Sequence, residues 1–300
     1  MTENVPAFGM APPGFRLPAE TRLGRVRLQV ADLSRSLDYY TGVLGLRVLS
    51  RESGGAALGA HGANQAPLVE IVEQPGARPV PRRGLLGLYH FALLLPDRPA
   101  LGRFVQHLGR LGVRAGSSDH AVSESLYLTD PDGLGIEVYA DRPRHTWQIN
   151  TSELYMTVEP LDLDDLVRHA AGVPWTGTPA GTVMGHVHLH VGALDAAAAF
   201  YHSAIGFDKT AWSFPGALFL SAGGYHHHLG TNIWAAGAPP ATNADARLLE
   251  WELVLPDDDS VDRTARSVAA AGFQIAADDA DRITSDPWGT ALRLRTAGAA

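Results

Sequence analysis

The chain has 300 residues, 32 acidic against 24 basic side chains, a net charge of −8 and no cysteine. That length predicts two domains, and a negative chain without a basic run argues against a nucleic-acid partner. Without cysteine there is no disulfide frame, thiolate metal site or cysteine nucleophile, so any metal must be held by imidazole and carboxylate, for which 13 histidines supply the material.

Residues 1–22 are Pro-rich and lack a charged stretch followed by an apolar core, so they read as an arm and not as a signal peptide. No apolar run approaches the ~20 residues of a membrane span. The expectation is a soluble, cytoplasmic protein with no membrane partner. From Gly24 to Leu46, GRVRLQVADLSRSLDYYTGVLGL opens with strand-like alternation, continues with helical spacing and stops at a glycine. Leu88 to Asp97, LYHFALLLPD, is a second strand leading into the helical ALGRFVQHLGRLG. His120 to Glu137, HAVSESLYLTDPDGLGIE, is strand, Asp-Pro-x-Gly turn and strand, the turn aiming the strand that carries Glu137. Residues 142–184 form a linker with one helix near LDLDDLVRHAAG and a Pro/Gly/Thr-rich stretch.

The second half repeats the first. GHVHLHVGALDAAAAFYHSAIGF, Gly185 to Phe207, matches the opening stretch, with Tyr201 on Tyr40, Gly206 on Gly45 and Phe207 on Leu46. LEWELVLPD at Leu249 matches LYHFALLLPD, SVDRTARSVAAAG follows as a helix, and DPWG at Asp286 echoes DPDG at Asp130. The chain therefore holds four strand-helix-strands modules in two pairs: an arm at 1–22, a first domain at 23–141, the linker at 142–184 and a second domain at 185–296.

Period-2 alternation puts His186, His188 and His190 on one strand face, with Val187, Leu189 and Val191 toward the helix. A lone strand histidine is usually structural; three on one face is rarely core filler. In GGYHHHLGTNIW, read as a late strand, alternation puts His226 and His228 together and His227 opposite.

The His120-to-Glu137 stretch resembles the signature of type I extradiol, ring-cleaving dioxygenases of the vicinal-oxygen-chelate superfamily. Ser118 departs from the Gly, Asn, Thr or aliphatic residue common at its position. The four modules likewise resemble that superfamily's βαβββ units, which implies an α+β fold in which pairs of modules curl into half-barrel cups. By position, the resemblance offers His90, Glu137 and His186 as ligands, from modules two and three; Arg25, Glu70, Glu250 and Arg293 would face the other cup. Two histidines and a carboxylate form the facial set of non-haem Fe(II) oxygenases, with Mn(II) as an alternative ion. A cup shared by modules three and four, using His186, a histidine of the YHHH run and Glu250, stays open at this point.

The resemblance further implies His120 and Tyr127 as hydrogen-bonders to substrate and oxygen, and a histidine of the run as acid/base, with His228 favoured over His226. The implied activity is extradiol opening of a catechol by O2 to a 2-hydroxymuconic semialdehyde; the partners are then a small aromatic diol and O2, with self-association left open. Two other readings use the same cup. One is a glyoxalase-like isomerase, lyase or thiol transferase, with His228 as fourth ligand and nickel, zinc or manganese bound. The other is a protein that sequesters an aromatic compound or antibiotic without turnover.

Overall fold

A computed structural model describes residues 8–63 and 65–297, so the first seven residues of the arm lie outside the described residues. The four modules are all formed, and each opens on a strand: Arg22–Val30, Gly87–Leu94, Val183–His190 and Arg247–Leu255. Helices follow at Leu33–Gly42, Arg98–Leu111 and Asp258–Ala270, while in module three Leu194–Ala197 widens into a π-type helix at Ala198–Ile205. The repeated aspartates start three of them. Asp32, Asp97 and Asp257 each accept the backbone N–H three residues on, at 2.9, 2.7 and 2.8 Å, which satisfies a donor the first helical turn leaves free. Of the repeated glycines, Gly206 caps its helix at φ +102° and Gly45, three residues past the end of its helix, turns the chain at φ +77°, a region closed to most side chains.

The strands form two eight-stranded sheets, and each sheet takes one module from each half of the chain. Modules one and four build one sheet, modules two and three the other. At each centre the two opening strands run antiparallel, with Arg27 opposite Glu250 in one and His90 opposite His188 in the other. Each opening strand is flanked in parallel by the closing strand of its own module, so Ala92 pairs with Glu137 and His188 with Gly230. The cup is thus shared by modules two and three, not three and four. Val26, Leu28, Phe91, Leu93, Val187, Leu189, Trp251 and Leu253 point away from the cups into one apolar core. Among the described residues, no helix is long and apolar enough to cross a membrane.

The repeat also carries a polar lock. Tyr201 donates its hydroxyl to Asp286 at 2.9 Å, and Tyr40 donates to Asp130 at 3.3 Å. Each link fastens the helix of one module to the Asp-Pro turn of the next, and each Asp also accepts two backbone N–H groups of its own turn. Burial pushes the Asp130 carboxyl up to about 6 and raises that of Asp286 as well. Tyr201→Phe is expected to cost about 1–3 kcal/mol, because a buried acceptor loses a donor. Thermal unfolding should fall by several degrees; a change below about 1 °C would contradict the lock.

The linker does more than connect. Its helix spans Leu163–His169. Before it, Glu159 bonds to Asp119 in both directions, at 2.9 and 3.0 Å, along the edge strand Gly116–Asp119. This brings Met156, Thr157 and Val158 to the mouth of the cup of modules two and three.

In the other cup, charged pairs stand where ligands were sought. Arg25 bridges Glu70 at 2.8 Å and Glu252 at 3.1 Å, and Arg293 holds Glu250 by two bonds of 2.9 and 3.1 Å. Guanidinium and carboxylate forks match in this geometry.

Candidate active site

His90, Glu137 and His186 converge in the cup of modules two and three, and among the described residues they are the one group of His, Asp or Glu side chains close enough to hold a metal ion. Strand alternation delivers all three, and each is buried. Glu137 Oε2 lies 3.0 Å from Nε2 of both His90 and His186, and the two Nε2 atoms are 3.3 Å apart. Ser125 donates its hydroxyl to Glu137 Oε1 at 2.6 Å, which turns Oε2 into the cup.

Burial alone would raise the Glu137 carboxyl, but the two imidazoles outweigh it and hold it well below the usual carboxylate range. Burial lowers both histidines despite the neighbouring carboxylate. The site is therefore two neutral imidazoles and one carboxylate. Protons alone satisfy it badly: if both Nε2 atoms carry hydrogen toward Glu137, two N–H groups face each other across 3.3 Å. A divalent cation satisfies all three lone pairs at once, and the donor set suits non-haem iron and other borderline divalent ions. The depressed values also fix a pH dependence. A histidine whose folded value is lowered supports the fold above its ordinary value of about 6.5 and loses that support as pH falls below it; the lowered carboxyl acts in the same direction further down. The metal-free protein should therefore melt at progressively lower temperature from pH 7 to pH 5, and metal retention should decline over the same range. A flat profile in both measurements would contradict the neutral-histidine state.

The cavity over these donors measures about 360 Å³ and is lined also by His120, Tyr127, His188, Phe219 and His227. His120 donates Nδ1–H to the Thr157 carbonyl at 2.6 Å, which leaves Nε2 to accept the Tyr127 hydroxyl at 2.5 Å. His188 shares the face of His186, as alternation predicts, but its Nε2 accepts from Asn232 Nδ2 at 3.0 Å. Asn232 Oδ1 in turn takes Nδ1–H of His190 at 2.7 Å. Gly230 faces His188 so closely that a Cβ there would stand 2.8 Å from the ring.

The histidine run departs from expectation. His227, not His228 or His226, reaches the cavity wall, with its ring 4.1 Å from that of His186. His228 lines a separate pocket of about 220 Å³, where its Nδ1 accepts the Ala222 N–H at 3.2 Å, and burial and neighbouring cationic groups lower it to about 3. It is therefore no fourth ligand. His226 stands one layer behind the cup, donating Nε2–H to Asp141 at 3.0 Å while its Nδ1 lies 2.7 Å from Nδ1 of His227. The cause is local. The strand begins only at Leu229, and Gly223 and Gly224, with φ of +64° and +68°, turn the chain just before the run, so period-2 alternation does not apply there. The signals that sequence reading missed are that double glycine, the linker residues Met156 to Val158, and Asn232.

The glyoxalase/bleomycin resistance protein/dioxygenase superfamily model matches residues 22–138. The chain is 43% identical over 271 residues to the Catechol-2,3-dioxygenase of Bacillus subtilis (strain 168), covering 89% of this chain and 94% of that protein. Among solved structures, a protein of Bacillus subtilis subsp. subtilis str. 168 superposes with a TM-score of 0.67 at 14% identity, over 95% of this chain and 87% of the other. Glyoxalase I from Zea mays superposes with a TM-score of 0.56 at 19% identity, over 92% of both chains. At such identities these two structures speak for the fold alone.

Proposed function

The chain belongs to the glyoxalase/bleomycin resistance protein/dioxygenase superfamily, and from that premise we propose that it is an extradiol dioxygenase, opening a catechol with O2 at a non-haem Fe(II) held by His90, His186 and Glu137. The observation that carries this reading is the Tyr127–His120 pair lying in the same cavity as the two-histidine, one-carboxylate group. The Bacillus relative named Catechol-2,3-dioxygenase supports it.

When bound, iron supplies a Lewis-acidic centre for both catechol oxygens and O2 and a path for electrons between them. The chain's own groups do the rest. His227 is the base of this reading. With His226 donating Nε2–H to Asp141, its Nδ1 is left to accept Nδ1–H from His227, so the basic atom of His227 is Nε2. Burial keeps His227 neutral at pH 7, ready to take one catechol hydroxyl proton. Tyr127 has one hydroxyl proton, which His120 Nε2 accepts while the site is empty. When negative charge develops on an oxygen in the cavity, that hydroxyl can turn from His120 to donate its hydrogen bond to the oxygen, which leaves His120 Nε2 free as an acceptor beside it. Phe219 and Met156 close the cavity with apolar surface and exclude water from the ring. Both atoms of O2 enter the product, a 2-hydroxymuconic semialdehyde, and no nicotinamide or flavin is consumed.

The test is anaerobic loading with Fe(II), then catechol and air. Yellow product with one O2 consumed per catechol is the expected result. An iron-loaded protein that binds catechol yet consumes no oxygen would overturn the reading.

A further inference from the structure

We infer that the substrate is a catechol carrying a side chain with an apolar stem and an anionic end, the end being received by Arg82, Arg83 and Arg114; the inference deepens the dioxygenase reading and rests on it. The cup of about 360 Å³ does not stand alone. A second cavity of about 1090 Å³ adjoins it, and Tyr89, His90, Tyr127 and Trp234 line both. A bare catechol needs only the cup, so the larger space is room for something attached to the ring.

The larger cavity has two kinds of wall. Tyr89 and Trp234, shared with the cup, give it an aromatic wall, and Leu88, Ile136 and Ile233 add apolar surface. Away from the residues shared with the cup, the lining includes Arg82 and Arg83, on the loop before the opening strand of module two, and Arg114, just after that module's helix. All three are exposed, and among the described residues none enters an ion pair or a side-chain hydrogen bond. No Asp or Glu lines this cavity, although the chain carries 32 of them and a net charge of −8. An acid-free wall with three unpaired guanidinium groups is thus set against the overall sign of the protein. His190 also faces this space; its Nδ1 is spent on Asn232, and Nε2 lies 3.2 Å from where a Cβ on Gly84 would stand. Guanidinium forks pair with carboxylates in two parallel hydrogen bonds. An apolar stem along Tyr89 and Trp234, ending in a carboxylate at the arginines, fits both walls.

The test uses 3-(3,4-dihydroxyphenyl)propionate and its methyl ester, which share ring and stem and differ in charge. Their binding to the Fe(II)-loaded protein is measured by calorimetry without oxygen, and the acid is offered separately with air. The acid should bind about tenfold tighter than the ester, a gap of about 1.4 kcal/mol, and the gap should narrow as salt is raised. In Arg82→Ala/Arg83→Ala/Arg114→Ala the acid-to-ester ratio should approach one, and in Arg82→Glu/Arg83→Glu it should invert. Equal binding of acid and ester by the natural protein, binding of neither, or a preference that survives the triple substitution would overturn the inference. A charge preference that holds while the bound acid with air consumes no oxygen would instead overturn the dioxygenase reading and leave the anion site standing.

Discussion

Glu137→Ala is expected to abolish both metal retention and oxygen uptake with catechol. The carboxylate is one of three donors and the only one carrying charge, and Ser125 exists at that spot to aim it. Losing an outer partner of a ligand typically costs about 10–100-fold in metal affinity or activity, and losing the ligand itself should cost more. The decisive measurement is the melting temperature with and without Fe(II). A metal held at a hundred times its dissociation constant adds about 2.7 kcal/mol to the folded state of the natural protein, a rise of several degrees. Glu137→Ala should show no rise. If the variant gains as much from iron as the natural chain, the metal is held elsewhere.

His227→Ala should lower kcat for catechol by about 10²–10⁴-fold, the range for a lost general base, whereas His228→Ala should change it by no more than a few-fold. His228 lies in a different pocket with its Nδ1 occupied by a backbone N–H. A merely structural loss at His227 would leave the pH profile unchanged. A lost base should not: the activity left in His227→Ala should climb with pH, as catechol ionises in solution without help. The reverse pattern, a damaging His228→Ala beside a benign His227→Ala, would return the role to His228, the residue favoured from the sequence.

The contrast between these two histidines marks how far the sequence could be read. His186, His188 and His190 share one face because they sit on a regular strand whose other face is apolar and buried, so a slip of one residue would turn the whole row outward. His90 and Glu137 were legible for the same reason, each on a strand of a repeated module. At the later histidine run the logic fails. The run at 226–228 hangs from a double-glycine turn, and the direction of each ring is set by tertiary partners, Asp141 for His226 and His186 for His227, that lie far away in sequence. The linker's part was hidden too. Nothing in residues 156–158 announces that they cover a cavity; their position follows from backbone pairing between Asp119 and Glu159. The repeat showed four modules, but which modules shared a sheet was a choice among partners, fixed in the sequence only by where the donor residues happened to fall.

The exchange of modules between the sheets has a consequence for how the protein comes into being. The first half of the chain emerges from the ribosome holding His90 and Glu137 but not His186, together with two opening strands, Arg22–Val30 and Gly87–Leu94, that belong at the centres of different sheets. Until the second half arrives, each of those strands has a bare flank of N–H and C=O groups, the surface on which chains stick to one another. Nascent chains therefore pass through a stage that both lacks the complete His90, Glu137 and His186 group and is exposed to aggregation. A chain cut near residue 160 is not a small enzyme but two incomplete ones, each waiting for the other.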